Sequence, residues 1–226
     1  MSFKEREHDG ANGRDVVHTR FTEATPIGGS TPIADRVTHG YFGGPTSSDT
    51  VAIKVLARAH SITATVEIPP GGVTGVIVSH GDATGGYTMF VQDEYLHYVH
   101  NYCGALELHV VSLDPVPVGR VRLRVEFEPA KTGIIRGEGT PGRTQLFFGD
   151  RMVADKIFPV TVPLSVGSSS GLSIGKNPGS AVTRLYDAPF AFTGKIVSVR
   201  YDLSDRMVRD AEELRHALGF ARTLEH

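Results

Sequence analysis

His80 and Asp82 stand two residues apart, the spacing that puts both side chains on one face of an extended strand. They border the glycine-rich stretch Gly81 to Gly86, and strand ends of this kind are where ligands are met. His80, Asp82 and the following Tyr87 are therefore candidate cleft-rim or ligand-facing residues, against the alternative of a hydrogen bond that steadies a turn. His97 and His100 invite a metal reading, but residues three apart in a strand point to opposite faces, so no metal site is expected from that pair. Cys103 sits between Tyr102 and Gly104 with no base that the sequence can assign to it, and a catalytic thiol needs such a base or a depressed pKa. It reads as a small buried or edge residue. Tyr87, Phe90, Tyr95, Tyr98 and Tyr102 could stack against a sugar ring, with core packing as the competing use. Tyr98 alternates with Leu96 as an inward residue would, and the chain holds no tryptophan. No Walker loop or H-E-x-x-H occurs, and no catalytic residue is named.

These residues must be positioned by strands. Ile62, Ala64, Val66 and Ile68 alternate with Ser61, Thr63, Thr65 and Glu67, the pattern of a half-buried strand, and Pro69-Pro70-Gly71-Gly72 ends it. Val76-Ile77-Val78 reads as a more deeply buried strand, and Gly85-Gly86 as the turn leading to Tyr87, Met89 and Val91. Leu96 to Tyr102 continues the series. Val121, Leu123, Val125 and Phe127 alternate with Arg120, Arg122, Arg124, Glu126 and Glu128, which predicts one wet, charged face. Gly149-Asp150 marks a tight hairpin between Leu146-Phe147-Phe148 and Met152-Val153-Ala154, and Lys195 to Leu203 forms a late strand. Short strands separated by turns favour an all-β, two-sheet antiparallel sandwich, jelly-roll or lectin-like. Residues 1–20 are polar and expected to lack structure, and the sandwich spans 21–203. A short C-terminal α-helix is expected over 204–222, with Met207, Ala211, Leu214, Leu218 and Ala221 on its docking face. Residues 224–226 read as a tag remnant.

Composition narrows the function classes. The 23 basic and 25 acidic residues form no block of like charge, which makes nucleic acid and membrane surfaces poor partners. A single cysteine excludes an internal disulfide. No window reaches the run of about 18 apolar residues that a membrane span needs, and the charged opening does not look like a secretory signal, so a soluble chain is expected.

Several phrases, taken in order, resemble the C-terminal region of bacterial arylsulfatases. They are His60-Ser61-Ile62-Thr63-Ala64-Thr65-Val66-Glu67-Ile68-Pro69, then Gly75-Val76-Ile77-Val78 with Gly85-Gly86-Tyr87, then Leu96-His97-Tyr98-Val99-His100-Asn101-Tyr102. Val125-Glu126-Phe127, the Gly149-Asp150 hairpin, Gly175 with Gly179-Ser180-Ala181-Val182, and Pro189-Phe190-Ala191-Phe192-Thr193-Gly194-Lys195-Ile196 complete the series. Glu213-Leu214-Arg215-His216-Ala217-Leu218 resembles the short helix that closes some of these enzymes. The likeness covers about residues 21 to 222.

In that family the sulfate-cleaving site lies in a preceding α/β domain, where the Cys or Ser of C/S-x-P-S-R becomes formylglycine beside a divalent cation, calcium. The hydrated aldehyde is the nucleophile, and metal and basic groups stabilise charge on sulfate. Gly139-Thr140-Pro141-Gly142-Arg143 keeps the proline and arginine spacing but places glycine where the convertible residue must be, and it reads as a turn. The family also often has a tryptophan near Tyr87 and a polar residue such as glutamine near His80. The resemblance thus implies a non-catalytic domain without its own cofactor, packing against a sulfatase catalytic domain, with the Gly81 to Gly86 loop at the cleft rim. The alternative is a free-standing lectin-like module that binds a glycan through Tyr87 on a concave face. A self-sufficient enzyme built on His80, Asp82 or Cys103 ranks last.

Overall fold

The computed structural model describes residues 4–8, 15–21, 36–41, 59–130, 140–161 and 171–204. Within them the chain runs β1 (Lys4–His8), β2 (Asp15–Phe21), β3 (Arg36–Tyr41), β4 (His60–Ile68), β5 (Gly75–Asp82), β6 (Gly85–Gln92) and β7 (Tyr95–Tyr102). It continues with β8 (Leu106–Pro115), β9 (Gly119–Pro129), β10 (Gly142–Phe148), β11 (Arg151–Phe158), β12 (Leu172–Ile174) and β13 (Lys195–Ser204). An eight-stranded sheet is ordered β1-β2-β3-β13-β4-β9-β10-β11, and a five-stranded sheet β12-β5-β6-β7-β8. Every ladder within them is antiparallel. This is the two-sheet antiparallel sandwich that the alternation predicts.

The core forms because period-2 patterning aims one side of each strand at the facing sheet. Ile62, Ala64 and Val66 of β4 lie in register with Val125, Leu123 and Val121 of β9. Val199 and Tyr201 of β13 flank Ala64 and Ile62 on the other side. From the small sheet, Ile77, Met89, Val91, Leu96 and Tyr98 close onto the same cluster. Tyr98 stacks on Phe158 across the gap, ring centroids 6.4 Å apart, and Tyr87 reaches Tyr201 there with their hydroxyls 3.3 Å apart.

Four local expectations change. The first twenty residues, expected to lack structure, hold β1 and most of β2, because an edge hairpin is held by backbone ladders that leave little trace in side-chain pattern. The polar side of β4 is solvated only toward its end: Thr65 and Glu67 are half-exposed, but Ser61 and Thr63 are buried, and the Ser61 hydroxyl lies 3.4 Å from an Asp202 carboxylate oxygen, 141 residues away in sequence. On β9, Arg120 and Arg122 are exposed as expected, whereas Glu126 is buried and Arg124 lies over the Phe147 ring, 4.4 Å from its centroid. Gly142 and Arg143, read as part of a turn, instead open β10, where Gly142 admits the Phe127 ring against its backbone. The helix expected over 204–222 and the remnant at 224–226 lie outside the described residues from 205 onward, and Ser204 itself ends β13.

The β5–β6 connection decides how the candidate residues are held. Its turn residues are Ala83 and Thr84, while Gly85 and Gly86 already belong to β6. Gly81 and Gly86 face each other at φ 93° and 139°, and a Cβ on either would run into backbone carbonyl oxygen, of Gly85 and His80 respectively. Gly86→Ala should therefore lower the melting temperature by about 5–10 °C, a loss of about 2–3 kcal/mol from strain and displaced backbone. Gly72→Ala, at φ 75° with nothing within 4 Å of the added carbon, should cost only about 1 kcal/mol. Equal melting temperatures for the two variants would refute this packing.

Candidate functional site

His80, Asp82 and Tyr87 occupy one end of the small sheet, but none forms an open rim. His80 and Tyr87 are cross-strand partners, their rings meeting edge to face at 5.5 Å. Tyr87 is 0% exposed and lies between the sheets, so a sugar cannot stack on it, and the expected concave-face role is corrected. The strand's period is the cause: Tyr87 shares its face with Met89 and Val91, which build the core. Asp82 accepts hydrogen bonds from the Thr84 amide at 2.8 Å and the Thr84 hydroxyl at 2.6 Å. That is the turn-steadying geometry weighed above.

Deeper in the same end lies His100, in register with Tyr87 and buried. Burial first, and the nearby His60 second, push its pKa down to about 3, so the ring is neutral at ordinary pH. Cys103 occupies the next turn at φ 54°, with Gly104 donating its amide to Asn101 Oδ1 at 2.8 Å. Burial pushes the thiol up to about 11, the opposite of what a nucleophile needs. No three His, Cys, Asp or Glu side chains among the described residues gather to hold a metal ion.

The outer face of the small sheet brings Phe90 and His97, weighed separately in the sequence, together with residues that sequence reading passed over. Phe90 of β6, His97 and Val99 of β7, and His109 of β8 point away from the core, and residues 176–194 fold back across much of this face. Tyr186 and Phe190 pack on Phe90 with ring centroids at 5.0 and 6.3 Å. The Tyr186 hydroxyl bonds to Thr88 Oγ1 at 3.1 Å and Asn177 Oδ1 at 2.8 Å. Asn101 Nδ2 donates to the Val182 carbonyl at 2.7 Å, and Glu107 accepts from the Thr183 hydroxyl at 2.6 Å and the Arg184 amide at 3.1 Å. Thr88, Asn101 and Glu107 thus tie the strap to three successive strands. Phe190 stays half-buried and Leu185 exposed at its margin. The signal was present in the period-2 count, which sets Phe90 opposite to Tyr87 and His97 opposite to His100, but nothing in it names the covering segment.

His97 and His100 do face opposite sides of the sheet. His97 meets His109 instead, through ring nitrogens 3.0 Å apart. On the large sheet, a separate cleft of about 560 Å³ is lined by Arg120, Arg122, Arg151, Thr65, Pro117 and Phe148. Arg122 and Arg151 there pair with Asp150 and Asp114 at 3.3 and 2.6 Å.

No protein-family model matches the chain, and no curated protein does. Among solved structures, the chain is similar to a leech intramolecular trans-sialidase complexed with 2,7-anhydro-Neu5Ac, at 12% identity and TM-score 0.39 over 72% of this chain and 24% of that one. It is similar to the receptor binding domain of botulinum neurotoxin D, at 5% identity and TM-score 0.40 over 97% and 47%. A heptameric SAP-like pentraxin from Limulus polyphemus aligns at 11% identity and TM-score 0.37 over 80% of each chain. The chain spans about a quarter of the sialidase and about half of the toxin domain. These are loose likenesses.

Proposed function

We propose that the chain is a non-catalytic β-sandwich of an arylsulfatase-type hydrolase, packing against and supporting a sulfatase catalytic domain. The observation that supports this reading is where the ordered phrases fall. His60–Ile68 is β4, Gly75-Val76-Ile77-Val78 opens β5, Gly85-Gly86-Tyr87 opens β6, and Leu96 to Tyr102 fills β7. Val125-Glu126-Phe127 lies in β9, Gly149-Asp150 joins β10 to β11, and Pro189 to Ile196 runs from the strap into β13. Within the phrases, Ile62, Val66, Tyr87, Leu96 and Val125 are core residues and Gly86 and Gly175 take positive φ. The resemblance therefore rests on residues that build a sandwich, as a supporting domain requires. The described residues do not fit formylglycine or its calcium ion: Cys103 lies in a turn outside any C-x-P-S-R, and no ligand set gathers. That chemistry would belong to the partner domain.

The test is co-expression with the sulfatase catalytic domain encoded by the same organism. The two should co-purify, and the catalytic domain should melt higher in the complex, while the chain alone turns over no aryl sulfate. A catalytic domain that neither binds the chain nor gains stability from it would sink the docking role.

A free-standing glycan-binding module is the second reading, and its support moves from Tyr87 to the outer face. There the half-buried Phe190, stacked on Tyr186, and the exposed Leu185 lie at the margin of the strap. A glycan array signal lost in Phe190→Ala with the fold intact would favour it.

A further inference from the structure

We propose that His97 and His109 form a two-imidazole site for a borderline divalent cation, zinc, nickel or copper(II), with water completing the coordination. Their facing nitrogens, His97 Nδ1 and His109 Nε2, are 3.0 Å apart. The ring centroids are 5.1 Å apart and the planes 16° from parallel. Nitrogens closer than centroids by about a ring's breadth mean that the imidazoles meet edge to edge in nearly one plane, where nitrogen lone pairs lie. Two imidazole nitrogens bound to one zinc at about 2.0–2.1 Å stand about 3.0–3.4 Å apart, so the pair is already near chelating distance, and an in-plane swing of about 40° by each ring turns the opposed nitrogens toward one ion.

The proton pattern also suits a ligand pair. His97 Nε2 lies 3.2 Å from the Gln92 carbonyl oxygen, which can only accept, so Nε2 carries the proton and Nδ1 presents a lone pair. A backbone carbonyl behind the imidazole is the support that metal-ligating histidines use to fix their tautomer. His109 donates through Nε2 to that lone pair. Moving its proton to Nδ1 turns the second facing nitrogen into a ligand with no net proton released. The Phe90 ring, stacked on His97 at 4.8 Å, holds the plane in place. Both imidazoles are half-buried and open to solvent on one side.

The surrounding charges divide. Asp93 near His97 and Glu107 near His109 favour a cation. Lys156 of β11 opposes it, its Nζ donating to the His109 carbonyl at 2.8 Å. A ligating imidazole must be neutral, the form that burial favours in both rings. Imidazole donors select these ions over calcium or magnesium, which take oxygen. This site stands independently of the sulfatase reading.

Titration of the purified chain with zinc chloride or nickel chloride, read by calorimetry and by histidine ring NMR signals, tests the proposal. One ion per chain is expected, moving the His97 and His109 signals and not those of buried His100. His97→Gln and His109→Gln should each weaken binding at least tenfold, Lys156→Gln should tighten it severalfold, and calcium chloride should not compete. Unmoved His97 and His109 signals in the unsubstituted chain at millimolar metal, or affinity unchanged in both glutamine variants, would overturn it.

Discussion

Tyr87→Ala is expected to destabilise the chain by about 3–5 kcal/mol, the range for emptying a large aromatic side chain from a packed core. Tyr87 is fully buried, its ring 6.3 Å from that of Tyr98 and its hydroxyl 3.3 Å from that of Tyr201 on the opposite sheet. A domain's whole stability is about 5–15 kcal/mol, so the loss would be a large part of the total and easily read as a lower urea midpoint. Tyr87→Phe removes only the hydroxyl contact and should cost about 1 kcal/mol. The pair separates an inward tyrosine from a ligand platform: a surface ring would give a stable Tyr87→Ala. A wild-type urea midpoint for that variant would contradict the inward placement.

Acid should weaken the fold from about pH 6.5 downward, well before carboxylates protonate. His100 has a folded pKa of about 3 against an ordinary value of 6.5. Between these values the unfolded chain binds a proton that the folded chain refuses, so stability rises with pH in that window. The contribution of neutral His100 is complete above about pH 6.5 and falls progressively as the pH drops toward 3. Across the whole window the loss is on the order of several kcal/mol. His109, pushed down to about 4, adds in the same direction, more weakly because water reaches its half-buried ring. Denaturant midpoints at pH 7.5, 6, 5 and 4 should fall steadily, and His100→Gln should flatten the decline. A midpoint constant from pH 7 to 5 would show that His100 is not held neutral in the interior.

The strands were legible wherever one face is apolar. Ile62 to Ile68 and Val121 to Phe127 alternate because a sheet face must meet a core, and the two runs are neighbours in register. The hairpin at Gly149-Asp150 was equally plain, since tight turns need residues that tolerate unusual backbone, and Gly149 has φ 61°. The β1–β2 hairpin was not legible, because its order lies in backbone ladders. The burial of Ser61 on the outward side of β4, beside Asp202, was not legible for a related reason: alternation marks the inner face and is silent about what covers the outer one.

The sequence by itself thus determined the all-β class, the inward residues of β4, β7 and β9, and the separation of His97 from His100 onto opposite faces, since these follow from a period of two. Tertiary structure alone decided that β13 would lie between β3 and β4, that Tyr87 would meet Tyr201, and that His97 would find His109. Those partners sit on strands joined by ladders and packed faces rather than by local spacing. The physical reason is that strand pairing sums many small long-range terms, and no one of them is written into the neighbourhood of the residues it joins.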